Sequence, residues 1–211
     1  MKLIKKIPPE NKQMTVIMND QGWVRLKEPN SVSAAILWSM PISILLMLCN
    51  AAWCYYLYPP FQQLLSGSQG FSLEFSIGIE SVYYLLGMFL CLLIHELIHA
   101  IFIPKVWKSD KTYWGFNGLF GFVFTEEILS KKRMVVISLM PLLILSFAAP
   151  LILAGMGLLN GYLVFLSILN AGGACVDILN VILILIQVPK EGILVANGYA
   201  TFYKIQGGKS E

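Results

Sequence analysis

The sequence is poor in charge, in histidine and in paired cysteines, and these shortages exclude several classes of protein. Asp, Glu, Lys and Arg make up 13% of the 211 residues, whereas a soluble globular chain has about 25%. The four cysteines show no C-x-x-C spacing, which argues against a disulfide scaffold. The net charge of +3 is too small and too dispersed for nucleic-acid binding. With a mean hydropathy of +0.70, the composition predicts an integral membrane protein.

Four apolar runs are long enough to cross a bilayer as helices. They extend from Val32 to about Leu57, from Val82 to Ile103, from Met134 to Leu159 and from Tyr162 to Val188. Pro141 and Pro150 interrupt the third run and predict a kink there, because proline has no N–H to donate. The fold class predicted is therefore an all-α membrane protein with about four transmembrane helices.

The positions of the positive charges predict the orientation of these spans. All fifteen Lys and Arg residues fall in three segments, six in 1–30, six in 105–133 and three in 190–209. Cytoplasmic loops carry the excess of Lys and Arg in membrane proteins. We therefore expect a multi-pass protein of the cell membrane with both termini in the cytoplasm and the lipid bilayer as its surroundings.

The same pattern divides the chain into four segments. They are a cytoplasmic N-terminal segment (1–30), a first transmembrane helix with an outer loop (31–81), a core of three transmembrane helices (82–189) and a cytoplasmic C-terminal tail (190–211). Thr15–Met18 and Gly22–Leu26 in the first segment have the composition of short extended pieces.

Residues 105–133, between the second and third spans, contain a strand-like pattern. Aromatic residues of one parity alternate around a tight-turn pair, Asn117-Gly118, and are Trp114, Phe116, Phe120, Phe122 and Phe124. This predicts a small β-hairpin, Thr112–Phe116 with Leu119–Thr125, at the cytoplasmic membrane surface. Two roles fit: an exposed edge that receives an extended substrate by strand addition, or an aromatic anchor in the headgroup zone.

The second span contains an H-E-x-x-H motif at His95, Glu96 and His99, and these are the only two histidines in the chain. On a helix, positions four apart differ in direction by about 40°, so both imidazoles project from one face. That spacing suits two ligands of a Zn²⁺ site, with Glu96 placed to deprotonate a water molecule. The alternative is a buried polar cluster that bonds neighbouring helices. Three ionisable side chains in an apolar span are costly to bury, which favours the metal site.

A catalytic zinc needs about three protein ligands, so a third must come from elsewhere. Apart from Glu96, the only carboxylate within an apolar run is Asp177. In the predicted topology Asp177 lies at the same depth as the two histidines, roughly 20–25 Å from the outer membrane surface at 1.5 Å per residue. Cys91, one turn before His95, is the alternative ligand, although core packing explains it better. Asn170 is a candidate catalytic donor to a substrate carbonyl or its oxyanion; the alternative is that Asn170 and the glycines after it only allow close helix packing.

The H-E-x-x-H span, followed in a later span by Asn170, the Gly172-Gly173 break and Asp177, resembles the site-2 protease type of intramembrane metalloproteases. More closely, the chain is similar to a family of small bacterial membrane proteins known as zincin peptidases, over about residues 82–205. This resemblance implies zinc on the two histidines and Asp177, with Glu96 as the catalytic base. Unlike the usual site-2 pattern, Asp177 is followed by isoleucine, and no substrate-selecting domain of the PDZ type is visible.

The function predicted is a zinc-dependent metallopeptidase that hydrolyses peptide bonds of membrane proteins or peptides near the cytoplasmic face. A non-catalytic zinc-binding membrane protein, such as an immunity, binding or transporter-associated factor, is the main alternative. A zinc hydrolase acting on a lipid-like amide is a third.

Overall fold

The computed structural model describes residues 2–67, 78–116 and 121–205. Within them, four helical segments are long and apolar enough to cross a membrane: Val32–Leu57, Ile79–Phe102, Lys131–Gly155 and Gly161–Gln187. These agree with the four predicted spans to within a few residues. Their outward side chains are mostly large and apolar, as a lipid environment requires.

The first two spans are single helices, and the last two are interrupted. Helix α1 (Lys12–Asp20) precedes the first span, which is α2 (Val32–Leu57); a short α3 (Pro59–Leu65) follows it, and the second span is α4 (Ile79–Phe102). The third span consists of α5 (Lys131–Pro141), a π-helical segment (Leu142–Ala148) and α6 (Ala149–Gly155). The fourth consists of α7 (Gly161–Gly173) and α8 (Cys175–Gln187).

Both interruptions occur where the sequence predicts them. The π-helical segment lies between Pro141 and Pro150, and each proline removes the N–H that would otherwise bond to the carbonyl four residues earlier. The break in the fourth span falls at Ala174, immediately after the Gly172-Gly173 pair. Gly172 has a packing reason as well, since a Cβ there would lie 2.9 Å from the Met47 side chain.

A three-stranded sheet contains the predicted hairpin strands. Its order is β1 (Lys2–Ile4), β3 (Thr112–Phe116) and β4 (Gly121–Thr125), with β1 and β3 parallel and β3 and β4 antiparallel. The predicted turn at Asn117-Gly118 and the adjoining Leu119 and Phe120 lie outside the described residues. The position of the hairpin at the cytoplasmic membrane surface stays a prediction.

The described chain is mostly helical, as predicted, but it contains a second sheet beyond the predicted hairpin. Its order is β2 (Val24–Arg25), β7 (Ala200–Ile205), β6 (Gly192–Asn197) and β5 (Leu129–Ser130), all antiparallel. Residues of the predicted C-terminal tail therefore form a hairpin, and the N-terminal segment pairs with it. The sequence gives little sign of this pairing, because Val24 pairs with Tyr203 and Arg25 with Phe202 across almost the whole chain and β2 has only two residues.

The N-terminal segment also differs from its prediction in one local detail. Thr15–Met18 is helical, within α1, rather than extended. The Asn11 side chain caps this helix by accepting hydrogen bonds from the backbone N–H groups of Gln13 and Met14 at 3.0 and 3.2 Å. Such a cap satisfies donors that the first turn leaves unpaired, and it outweighs the strand preference of the three β-branched residues at positions 15–17.

The chain forms two compact units. The first contains Met1–Ser39, Glu96–Met140 and Val176–Glu211, and its core consists of apolar side chains such as Leu26, Ile184 and Leu194. The second contains Met40–His95 and Pro141–Cys175, and its interior includes buried polar side chains, among them Asn50, Ser146, Ser167 and Asn170. The boundary at His95 falls within the continuous helix α4.

Candidate metal centre

Helix α4 carries the H-E-x-x-H motif in its last two turns. His95 and His99 stand one turn apart on this helix and are 8% and 9% exposed. The helix ends at Phe102, and Pro104 and the left-handed Lys105 (φ 55°) follow, so the motif stands at the end of the span rather than at its centre. Two buried imidazoles at this position each require a polar partner.

His99 has a main-chain acceptor behind it and a carboxylate in front. Its Nδ1 donates to the carbonyl oxygen of Ile137 at 2.8 Å, and its Nε2 lies 3.4 Å from Oδ1 of Asp177. The Ile137 carbonyl is open to the imidazole because Pro141, four residues later, has no N–H to offer it. A proton fixed on Nδ1 leaves Nε2 as the ligand atom, directed toward the carboxylate.

His95 has a side-chain acceptor instead. Its Nδ1 lies 2.8 Å from Oδ1 of Asn170, the residue that precedes the helix break. The Asn170 amide nitrogen donates to Oγ of Ser146 at 2.8 Å and to the carbonyl oxygen of Pro141 at 3.3 Å. Asn170 is 4% exposed, and its oxygen faces His95 because its nitrogen serves these two acceptors.

Asp177 lies in the first turn of α8, which begins at Cys175 after the break. Of the residues that the structure describes, His95, His99 and Asp177 form a group whose ligand atoms all lie within 4.8 Å of one another. Two imidazoles with their Nδ1 protons committed to oxygen acceptors, together with one carboxylate, are a donor set that suits zinc and leaves coordination positions open. The chemistry of the three side chains therefore fits a catalytic Zn²⁺ site.

Glu96 lies against the start of strand β4. A Cβ atom added at Gly121 would meet Cγ of Glu96 at 3.1 Å, so only a glycine at that position gives the carboxylate side chain its full space. Gly121 is also the first residue of β4, which is at the edge of its sheet among the described strands. The candidate base thus lies beside an edge strand.

The structure brings some of the predicted site residues together and places others away from the group. The three metal ligands predicted from the sequence come together, and their binding of zinc stays a prediction. Asn170 lies behind His95, and both of its amide hydrogens are committed to protein acceptors, which favours a positioning role over donation to a substrate. Cys91 is not in the three-residue group; it lines an apolar cavity of about 360 Å³ with residues such as Tyr162 and Leu166.

The acceptors behind these ligands are not apparent from the sequence. The Ile137 carbonyl and the Ser146 side chain belong to an apolar run and carry no motif. A signal was nevertheless present for Ile137, since Pro141 lies four residues later and leaves its carbonyl without a helical N–H donor.

The model of a family described as "Putative zincin peptidase" matches residues 88–193, which is half of the chain. The matched part runs from helix α4 to the start of β6 and includes all three candidate ligands. No curated protein and no solved structure matches the chain.

Proposed function

Since the chain belongs to this zincin peptidase family, we propose that it is a membrane-embedded zinc metallopeptidase. Its substrates are peptide bonds of membrane-associated proteins or peptides. The observation that carries the proposal is the group of His95, His99 and Asp177, with both imidazoles oriented through their Nδ1 atoms.

In the proposed site these three residues hold the metal. When bound, zinc would supply Lewis acidity toward a carbonyl group and would make a water molecule in the site more acidic. The imidazoles contribute neutral Nε2 donors, and Asp177 contributes the negative charge that partly offsets the charge of the ion.

Glu96 is the proposed general base and then the general acid. Its carboxylate accepts a proton from the water molecule whose oxygen bonds to the scissile carbonyl carbon. When the carbon–nitrogen bond breaks, Glu96 returns that proton to the leaving amine. The carboxylate is regenerated, and the net reaction consumes one water molecule per peptide bond.

Strand β4 is the proposed place for the substrate backbone. An exposed strand edge presents unpaired N–H and C=O groups, which bind an extended peptide by strand addition. The close approach of Gly121 to Glu96 supports this choice, because a peptide paired along β4 would pass beside the base. A transmembrane substrate would have to unwind locally to bind in this way.

The positive charges of the connections support a location near the cytoplasmic face. Lys105 and Lys108 follow the motif, and Lys131, Lys132 and Arg133 precede the third span. By the positive-inside tendency, the end of α4 that carries the motif faces the cytoplasm of a cell membrane.

The test is proteolysis by the purified full chain in detergent micelles supplied with zinc, assayed on a panel of membrane-protein segments and on a panel of lipid amides. The Glu96→Gln variant should lose the peptidase activity and keep its zinc. Glu80→Gln, an exposed carboxylate on the same helix, is the matched control and should remain active. Zinc binding without turnover of any peptide would favour the non-catalytic zinc-binding protein, and turnover of lipid amides alone would favour a lipid hydrolase.

A further inference from the structure

We infer that Asn50, on a helix outside the part of the chain that the family model matches, is a positioning residue for His95. It acts through Ser146, Ser167 and Asn170, a set that we term the amide relay. The inference rests on the proposed metal site, because its consequence is the orientation of one metal ligand.

The burial of Asn50 is unusual for its helix. In the most apolar stretch of α2 only 6% of the residues are buried, compared with 39% in the corresponding stretch of the fourth span. Asn50 is nevertheless completely buried. A buried amide in an apolar span is costly unless all of its donors and acceptors are satisfied. The relay satisfies them, since Asn50, Ser146, Ser167 and Asn170 are all at most 4% exposed and bond to one another.

Asn50 bonds to both serines of the relay. Its amide nitrogen donates to the carbonyl oxygen of Ser146, and its amide oxygen accepts from Oγ of Ser167 at 3.1 Å. The Ser146 carbonyl can take this bond because Pro150, four residues later, has no N–H. Cys54 adds a weak thiol donor to the Asn50 oxygen at 3.7 Å.

The hydrogen bonds of the relay have a fixed direction that ends at His95. The single hydrogen of the Ser146 hydroxyl donates to the carbonyl oxygen of Ser167 at 3.0 Å, so the Ser146 oxygen can only accept from Asn170. The Asn170 nitrogen must therefore face Ser146, and its oxygen must face His95. An oxygen acceptor at 2.8 Å fixes the proton of His95 on Nδ1 and leaves Nε2 as the ligand atom.

Removing Asn50 would release one end of this arrangement. The Ser146 carbonyl would lose its buried amide donor, and the Ser167 hydroxyl would lose one of its two acceptors, the other being the Ser146 carbonyl at 3.2 Å. The backbone at Ser146 could then move relative to Ser167, which would break the bond from the Ser146 hydroxyl to the Ser167 carbonyl. The Ser146 hydroxyl and the Asn170 amide could then turn over, and the tautomer of His95 would no longer be fixed. A purely structural role for Asn50 would weaken the helix contact and leave His95 unchanged.

Nitrogen-15 NMR of the imidazoles in the zinc-free full chain tests this inference independently of any activity. The chain has only two histidines, so the spectrum contains two rings. In the wild type the His95 ring should show the Nδ1–H tautomer, because its Nδ1 faces the Asn170 oxygen. In Asn50→Ala the signals of His95 should shift toward a mixture of tautomers, and those of His99, whose acceptor is the Ile137 carbonyl, should stay in place. An unchanged His95 spectrum would overturn the inference.

Zinc affinity, measured by chelator competition, supplies a second readout. Replacing a residue that orients a metal ligand typically weakens binding by about 10–100-fold; we expect this for Asn170→Ala, and about threefold to tenfold for Asn50→Ala, which acts one step further away. Because both variants interrupt the same relay, the double variant should bind zinc as weakly as Asn170→Ala alone. If the two single losses of zinc affinity multiply in the double variant, the two residues act independently and the relay is overturned.

Three controls separate the relay from a purely structural role of the helix and from the metal site itself. Ser43→Ala, on the same helix, removes a bond to the carbonyl oxygen of Gly172 at 3.0 Å and should leave both His95 and the zinc affinity unchanged. If Asn50→Ala does not fold, Ser146→Ala gives the same NMR test with a smaller change in volume. A wild type that binds no zinc but has a fixed His95 tautomer would overturn the metal site and support the relay. A wild type that binds zinc but shows a mixture of His95 tautomers would overturn the relay and leave the metal site intact.

Discussion

The two histidines of the motif differ in the group that accepts the hydrogen bond from Nδ1. His99 bonds to the main-chain carbonyl of Ile137, an acceptor that no substitution at position 137 removes. His95 bonds to the side chain of Asn170, which itself depends on Ser146. The same chemical requirement, an oxygen acceptor on Nδ1, is thus met once by backbone geometry and once by side-chain identity.

This difference predicts unequal sensitivity to mutation on the two sides of the site. On the His99 side the acceptor is the main-chain carbonyl of Ile137, which any residue at that position provides, and Pro141 only removes a competing helical N–H donor. The His95 side needs a buried amide with the correct orientation. The four predictions below test this contrast, beginning with a change that affects neither side.

The largest effect should follow from Glu96→Gln, which leaves both histidines and their acceptors intact. Loss of a general base typically costs about 10²–10⁴-fold in rate, so we expect a decrease of that size in kcat with zinc content unchanged. The measurement is the initial rate of peptide hydrolysis beside zinc analysis of the same sample. Full activity in this variant would rule out Glu96 as the base.

The contrast itself is tested by Asn170→Ala beside Ile137→Ala. We expect zinc affinity to fall by about 10–100-fold in the first variant, because its histidine loses an orienting acceptor. In the second the affinity should stay within about twofold, although truncation of a buried isoleucine lowers the free energy of unfolding by about 2–5 kcal/mol. Chelator competition and thermal unfolding of both variants provide the check. Equal losses of affinity would contradict the distinction between the two supports.

A smaller effect should follow from Gly121→Ala, which touches the base without touching either ligand. The new methyl group would lie 3.1 Å from Cγ of Glu96, so the carboxylate must shift by a few tenths of an ångström. Misplacement of a catalytic group by about 1 Å costs about 10²-fold, so we expect a threefold to tenfold decrease in kcat/KM.

The control for that variant is Gly161→Ala, where the added methyl group meets no atom within 4 Å. It should have wild-type activity, and both variants should bind zinc normally. A loss of zinc in Gly121→Ala would show that the strand affects the ligands as well as the base.

The smallest effect should come from Pro141→Ala. The new N–H would compete with His99 for the Ile137 carbonyl, which has two lone pairs and can still serve both donors. We expect zinc affinity to fall by about twofold to threefold, on the scale of about 0.5–1 kcal/mol for a weakened hydrogen bond. Chelator competition with Pro150→Ala in parallel extends the comparison, since that proline frees the carbonyl used by Asn50. An unchanged zinc affinity in both variants would show that the prolines do not support the metal ligands.

The sequence predicted those parts of the protein that depend on local composition. Spans follow from runs of apolar residues, and the Thr112–Phe116 strand follows from alternating aromatics. The three candidate ligands were identified because ionisable residues are so rare in an apolar run that few alternatives existed. Sparse charge therefore made the site easier to predict than the rest of the fold.

The parts that the sequence did not predict depend on contacts between distant residues. The pairing of β2 with β7 joins short strands from opposite ends of the chain, and no local pattern specifies it. The support of His95 depends on the orientation of the Asn170 amide, which only its surroundings determine. From the sequence alone, donation to a substrate and close helix packing were equally good roles for Asn170, whereas its hydrogen bonds favour a role behind the ligand.

Zinc content of the detergent-purified full chain is the most direct test of the central claim. Elemental mass spectrometry of the wild type beside His95→Ala and Asp177→Asn should give about one zinc per chain in the wild type, as a three-ligand catalytic site requires, and almost none in either variant. Zinc that persists in Asp177→Asn, or a wild type that binds none after reconstitution, would contradict a metal centre formed by these three residues.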